Sequence, residues 1–128
     1  MNEGNYLYEY SVIRYVPAVE RDEFINIGLI MMCKKQKWIR IESFLPKDKI
    51  RLFRSELPLD TLDNQLRAFT LIVNADAAGG PIAALPIEER FRWLTAAKSA
   101  CLQTSRPHPG LTDDLDTTFD MIFREQVL

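Results

Sequence analysis

Histidine occurs once in this 128-residue chain, at His108, and cysteine only twice, at Cys33 and Cys101. So sparse a set excludes the paired Cys and His spacings that hold structural or catalytic zinc. A carboxylate-only metal site would have to use Asp113, Asp114, Asp116 and Asp120, which instead have the pattern of a helix's solvated first turn and outer face. No metal and no cofactor is therefore expected. The sharpest covalent option pairs Cys101 with His108, but Pro107 and Pro109 hold that histidine in an extended loop with no third group to orient it. No serine stands in a nucleophile-elbow context, which removes the Ser/His/Asp chemistries. Gly79-Gly80 lacks the third glycine and the lysine of a phosphate loop.

Charge of one sign is lacking too. Sixteen basic and eighteen acidic residues leave a net charge of −2, which weighs against a nucleic-acid binder. The longest apolar run, Ile25–Cys33, is far too short to span a membrane and suits a buried strand. Met1 to Asn5 shows neither the basic region nor the apolar region of a signal peptide. A cytoplasmic protein with reduced core thiols is the expectation.

What is present is ordinary globular material, with 47% hydrophobic and 27% charged residues and enough length for one core. Leu7 to Val16 is rich in Tyr, Val and Ile, and Pro17 should end its ladder bonding. Phe24 to Cys33 is apolar on both alternations, Lys34 to Lys37 is a turn, and Trp38 to Phe44 alternates cleanly. These predict a three-stranded antiparallel meander. Helices are predicted over Lys47–Arg54, from Asp60 with a stripe of Leu62, Leu66, Phe69 and Val73, and from Pro86 with a stripe of Ile87, Phe91 and Leu94. A last helix should be capped by Thr112, with Leu115, Phe119, Ile122 and Phe123 facing inward. Asn74–Ala84 reads as a flexible loop, Ala100–Thr104 as a candidate fourth strand, and Pro107 to Gly110 as a break. The class is α+β, one domain over 1–128, with the sheet first and about four helices after it.

Parity sorts the meander further. If both turns keep it, odd residues such as Ile13, Tyr15, Ile27, Leu29 and Met31 form a core face. Even residues form a second face, mixing Tyr8, Tyr10, Trp38 and Phe44 with Arg14, Asn26, Arg40 and Glu42. A first hairpin whose paired residue numbers add to forty would set Arg14 opposite Asn26. Arg14, Arg21, Glu23, Asn26 and Arg40 are thus the candidate binding residues, since an arginine fork suits a carboxylate or phosphate. The bland alternative is an internal network pairing Arg14 and Arg40 with Glu9, Glu23 or Glu42. Tyr8, Tyr10, Trp38 and Phe44 are the candidate interface residues, because so much apolar surface needs either helices or a partner to cover it. Gly28 should permit a close approach or mark a bulge.

Tyr10-Ser-Val-Ile-Arg-Tyr-Val-Pro17 and Arg21-Asp-Glu-Phe-Ile-Asn-Ile-Gly28 carry a further signal. They resemble the opening of the uncharacterised bacterial domain-of-unknown-function family 3037, a Tyr-Ser-x-x-Arg-Tyr-x-Pro strand followed by Arg-x-Glu-x-x-Asn-x-Gly. Asp22 stands where that family often has glycine. The resemblance implies a bacterial host, a neighbour resembling the HipA-like kinases, and a regulatory or accessory role. The leading expectation is a module that acts by binding a protein partner or a second copy, not an enzyme. The alternative is an enzyme, or an enzyme subunit, acting on phosphate esters or nucleic acid through the Arg/Glu/Asn cluster.

Overall fold

The β-rich opening pairs as its composition demands. A computed structural model describes residues 5–18, 23–51, 59–96 and 102–128, and the side chains of 17, 18, 23, 49, 51 and 59 are excluded from that description. Within it, β1 (Tyr6–Ala18), β2 (Glu23–Cys33) and β3 (Trp38–Ser43) form the antiparallel meander. α1 (Lys47–Arg51), α2 (Leu59–Val73) and α3 (Ile87–Ala96) follow, then β4 (Leu102–Thr104), β5 (His108–Thr112) and α4 (Leu115–Gln126). The sheet runs β3-β2-β1, with β4 and β5 both on the far side of β1. The fold is thus α+β with five strands among the described residues. The end of the predicted first helix, from 52 to 54, and Pro58 lie outside them.

The fifth strand corrects the sequence reading. Pro107 to Gly110 was expected to break the chain, yet His108–Thr112 pairs antiparallel with Tyr6–Tyr10. Pro109 is tolerated because the strand lies at an edge, where a missing N–H need cost no ladder bond. β1 is thirteen residues long, so its first half takes β5 and its second half takes β4. Ser105 bridges the gap: its N–H donates to Val12 O at 2.8 Å and its Oγ accepts from Val12 N at 2.9 Å. Gly110 is required by close approach, since a Cβ there would run into the Tyr8 ring that crosses it. Gly110→Ala should therefore push Tyr8 off the strand and lower the thermal midpoint, while Tyr8→Ala in the same chain should relieve most of that clash.

Two departures of the register from simple parity cancel. Arg14 pairs with Asn26, as the hairpin arithmetic requires, but Ile13 pairs with Gly28, leaving Ile27 as an extra residue. This is a β-bulge, the alternative that Gly28 had suggested, and a Cβ at Gly28 would press on Ile13 and the Glu42 carbonyl at 3.1 Å. Beyond the bulge, Ile30 and Met32 join Ile13 and Tyr15 on one face, and Leu29, Met31 and Cys33 turn to the other. The expected sorting of these β2 residues is thereby reversed. The second hairpin pairs Cys33 with Trp38, an odd residue with an even one, so Ile39 and Ile41 return to the face of Ile13.

Helices cover both faces. Leu62, Leu66, Phe69 and Val73 of α2, with Phe91 and Leu94 of α3, close the Ile13 face. Leu115, Phe119 and Ile122 of α4 close the other, over Val12, Leu29, Met31 and Cys33. Arg90 also enters the first core: only 8% exposed, it donates from one terminal nitrogen to Ile72 O at 3.1 Å and Val73 O at 2.9 Å. These are carbonyls at the C-terminus of α2, where the helix dipole favours a cation. The stretch expected to be loop, 74–84, carries two 3-10 turns, Ala77–Gly79 and Pro81–Ala84, with Asp76 Oδ1 accepting from Ala78 N and Ala83 buried.

The cap of α4 is Asp114, not Thr112. Its carboxylate accepts from Thr117 N at 3.0 Å, while Thr112, at the end of β5, bonds to Thr118 Oγ1 at 2.6 Å and accepts from Asp114 N. The backbone hydrogen bond from Thr117, then that residue's hydroxyl, holds the Asp114 carboxyl below the usual range. A depressed folded value means stabilisation that is present above the ordinary carboxylate pKa and lost as pH falls through the lowered one. Asp114→Asn keeps the acceptor without the titration. Its thermal midpoint should fall less steeply on acidification than that of the wild type, measured from about pH 6 to about pH 2.

Candidate functional site

Arg14 and Arg40 lie on the same side of the sheet, the side that α4 covers, and the sequence gives them equal standing. The structure separates them. Arg40, on the β3 edge strand, stacks its guanidinium over the Phe119 ring at 4.2 Å. It also donates to Asp116 at 2.9 Å and Asp120 at 3.0 Å, one turn apart on α4, with Glu42 at 3.8 Å. Three carboxylates and an aromatic floor thus surround the guanidinium, and each terminal nitrogen is bonded to an α4 aspartate. Its partners are acids of α4 that the sequence had assigned to a solvated face. Of the glutamates that the internal network named, only Glu42 lies near Arg40; its closer contacts are the two aspartates, and their electrostatic part is modest because both are more than half exposed.

Asn26 is also in internal use. Its Nδ2 donates to Gln126 O at 2.8 Å, fastening the last turn of α4 to β2. Its Oδ1 is buried and unpartnered among the described residues, as is Arg14 Nε on the residue directly across the ladder.

Arg14 differs from Arg40 in having no carboxylate beside it among the described residues. It is half-buried in the middle of a polar row, with Asn26 on β2 to one side and Gln103 on β4 to the other. Its guanidinium lies 4.5 Å from the centre of the Phe24 ring, which is 50% exposed. Phe44, just beyond β3, is 49% exposed, and its N–H donates to Ile27 O, next to Asn26. This end of the sheet therefore combines a cation with open aromatic surface. Arg21 and the side chain of Glu23 lie outside the described residues.

The candidate interface residues separate in the same way. Trp38 is half-buried beneath α4, its ring edge-on to Phe119 with centroids 6.4 Å apart. A charged residue there would be expected to lift α4 from the sheet, not to release a partner. Tyr8 and Tyr10 are half-buried at the opposite end of the same face, where Tyr10 stacks on exposed His108 with centroids 5.1 Å apart. Burial, then the neighbouring Tyr10, pushes the Tyr8 phenol up. Of the cluster Tyr8, Tyr10, Trp38 and Phe44, only Phe44 is open. His108 thus has a stacking role in view, and Cys101 lies outside the described residues. Among those residues no group of three or more His, Cys, Asp or Glu converges as metal ligands would. Among them too, no helix is long and apolar enough to cross a membrane.

Arg14 and Asn26 both belong to the stretch that carried the family resemblance. A family model described as a protein of unknown function (DUF3037) matches residues 10–127. The chain belongs to this family. The DUF3037 match takes in all of β2 to α4 and most of β1, so it covers both sheet faces and not the opening hairpin alone. No curated protein and no solved structure matches the chain. For this DUF3037 member, function has to be argued from the side chains.

Proposed function

We propose that this DUF3037 protein acts by binding an acidic, apolar segment of a partner protein at the Arg14 end of its sheet. The observation that carries the reading is the contrast between the two arginines. Arg40 is neutralised by three carboxylates of its own chain, whereas Arg14 has none among the described residues and rests on an exposed ring. A guanidinium held flat by an aromatic face is pre-organised for a carboxylate, and Phe24 and Phe44 offer contact area to an apolar neighbour of that carboxylate. In this reading the protein is a regulatory or accessory module. The phosphate-ester alternative loses Arg40, whose guanidinium is engaged with Asp116 and Asp120 where α4 docks.

The test is an amide-shift titration of the full chain with short peptides carrying Asp or Glu beside Leu or Phe. Shifts should centre on Arg14, Phe24, Asn26 and Gln103, and should vanish in Arg14→Gln. The variant's own thermal midpoint checks that it still folds. Shifts that survive in Arg14→Gln, no saturable shifts, or an Arg14 salted to a carboxylate of its own chain would overturn the reading.

A further inference from the structure

At the opposite end of the sheet, and on its other face, the described residues leave the cover incomplete. Leu7 and Leu111 are directly paired across β1 and β5, yet they are 61% and 64% exposed. They stand where the sheet runs on past α3. Beside them a groove of about 360 Å³ opens between α3 and the β1–β5 ladder, with Met32 and Phe91 among its apolar lining and Pro107 and Pro109 on its rim. Four charges line it as well: Glu9 and Glu88 against Lys34 and Arg92. None of the four is in an ion pair among the described residues.

We infer that this face is the docking surface for a second copy of the same chain, through a two-fold contact centred on Leu7 and Leu111. The charge pattern selects that occupant. A two-fold contact places each surface against itself, so it needs both signs in balance around an apolar centre. Two acids and two bases around the groove meet that requirement. A face for an acidic or a basic partner would show one sign in excess. An exposed leucine pair that reaches an edge strand is also the kind of surface that a lasting monomer would be expected to blunt with charge. The inference uses none of the residues at the Arg14 end, so either reading can fail without the other.

Sedimentation velocity of the full chain, loaded from about 1 to about 300 µM, reads the result. The wild type should move from the 14.8 kDa monomer toward twice that mass as concentration rises. Leu111→Lys should remain monomeric. Glu88→Lys and Arg92→Glu each upset the balance of sign, so each alone should weaken self-association at least tenfold. An equimolar mixture of the two should restore a dimer. Circular dichroism melts of each variant check that the fold is kept. A wild type that stays monomeric throughout overturns the inference. So does a dimer that survives Leu111→Lys, or a pair of charge variants whose mixture associates no better than either alone.

Discussion

Phe119→Ala is expected to destabilise the protein by about 3–5 kcal/mol, the range for removing a large aromatic from a packed core. The ring is fully buried and meets three different partners. It meets Trp38 edge-on and Phe123 in a stack with centroids 6.2 Å apart, and it carries the Arg40 guanidinium on its face. Truncation leaves a cavity between α4 and the sheet and removes the surface on which Arg40 rests. A domain of this size has about 5–15 kcal/mol in total, so the loss would be plain in urea denaturation. Phe119→Leu should cost less because it keeps most of the volume, while still removing the cation–π contact. Trp38 reports the change locally: in a Trp93→Phe background its emission should shift to the red in the alanine variant. An unmoved Trp38 spectrum would mean that α4 is not seated on Trp38 through Phe119.

Arg90→Met is expected to cost about 2–3 kcal/mol although it removes no visible ion pair. The methionine keeps apolar bulk beside Phe91 and Leu94 but donates nothing to Ile72 O and Val73 O. Ile72 O still accepts from Ala75 N, so the larger penalty falls on the Val73 carbonyl. Hydrogen exchange should quicken in the last turn of α2 and in the 74–84 segment before the sheet is affected. Arg90→Lys keeps the charge without the planar fork and should recover only part of the loss. If Arg90→Met melts with the wild type, the α2 terminus is held by packing alone.

Both residues show where reading the sequence succeeds and where it stops. Phe119 was placed inward by its spacing from Leu115 and Ile122, because a 3.6-residue period marks a buried stripe wherever the helix packs. Arg90 escapes such a reading because it sits beside Phe91 in that same kind of pattern. Nothing local tells a buried arginine that caps another helix from one that points into solvent. β5 was missed for a related reason. Pro107, His108, Pro109 and Gly110 form a strand only because a thirteen-residue partner lies alongside, and that partner is about a hundred residues away in the chain.

The sequence by itself determined the meander, the three longer helices with their inward stripes, and the family. Those follow from local periodicity, turn chemistry and motif, which act over a few residues. Only the tertiary structure decided which arginine is occupied. Arg40 and Arg14 share a face of the sheet, one on its edge strand and one inside it, and α4 sets them apart, because its Asp116 and Asp120 hydrogen-bond to Arg40. The bulge at Ile27 and Gly28 was equally a tertiary decision. Gly28 hints at a bulge, but one extra residue in a ladder turns the rest of a strand over, and an apolar strand buried on both faces carries no pattern that shows which side its later residues take.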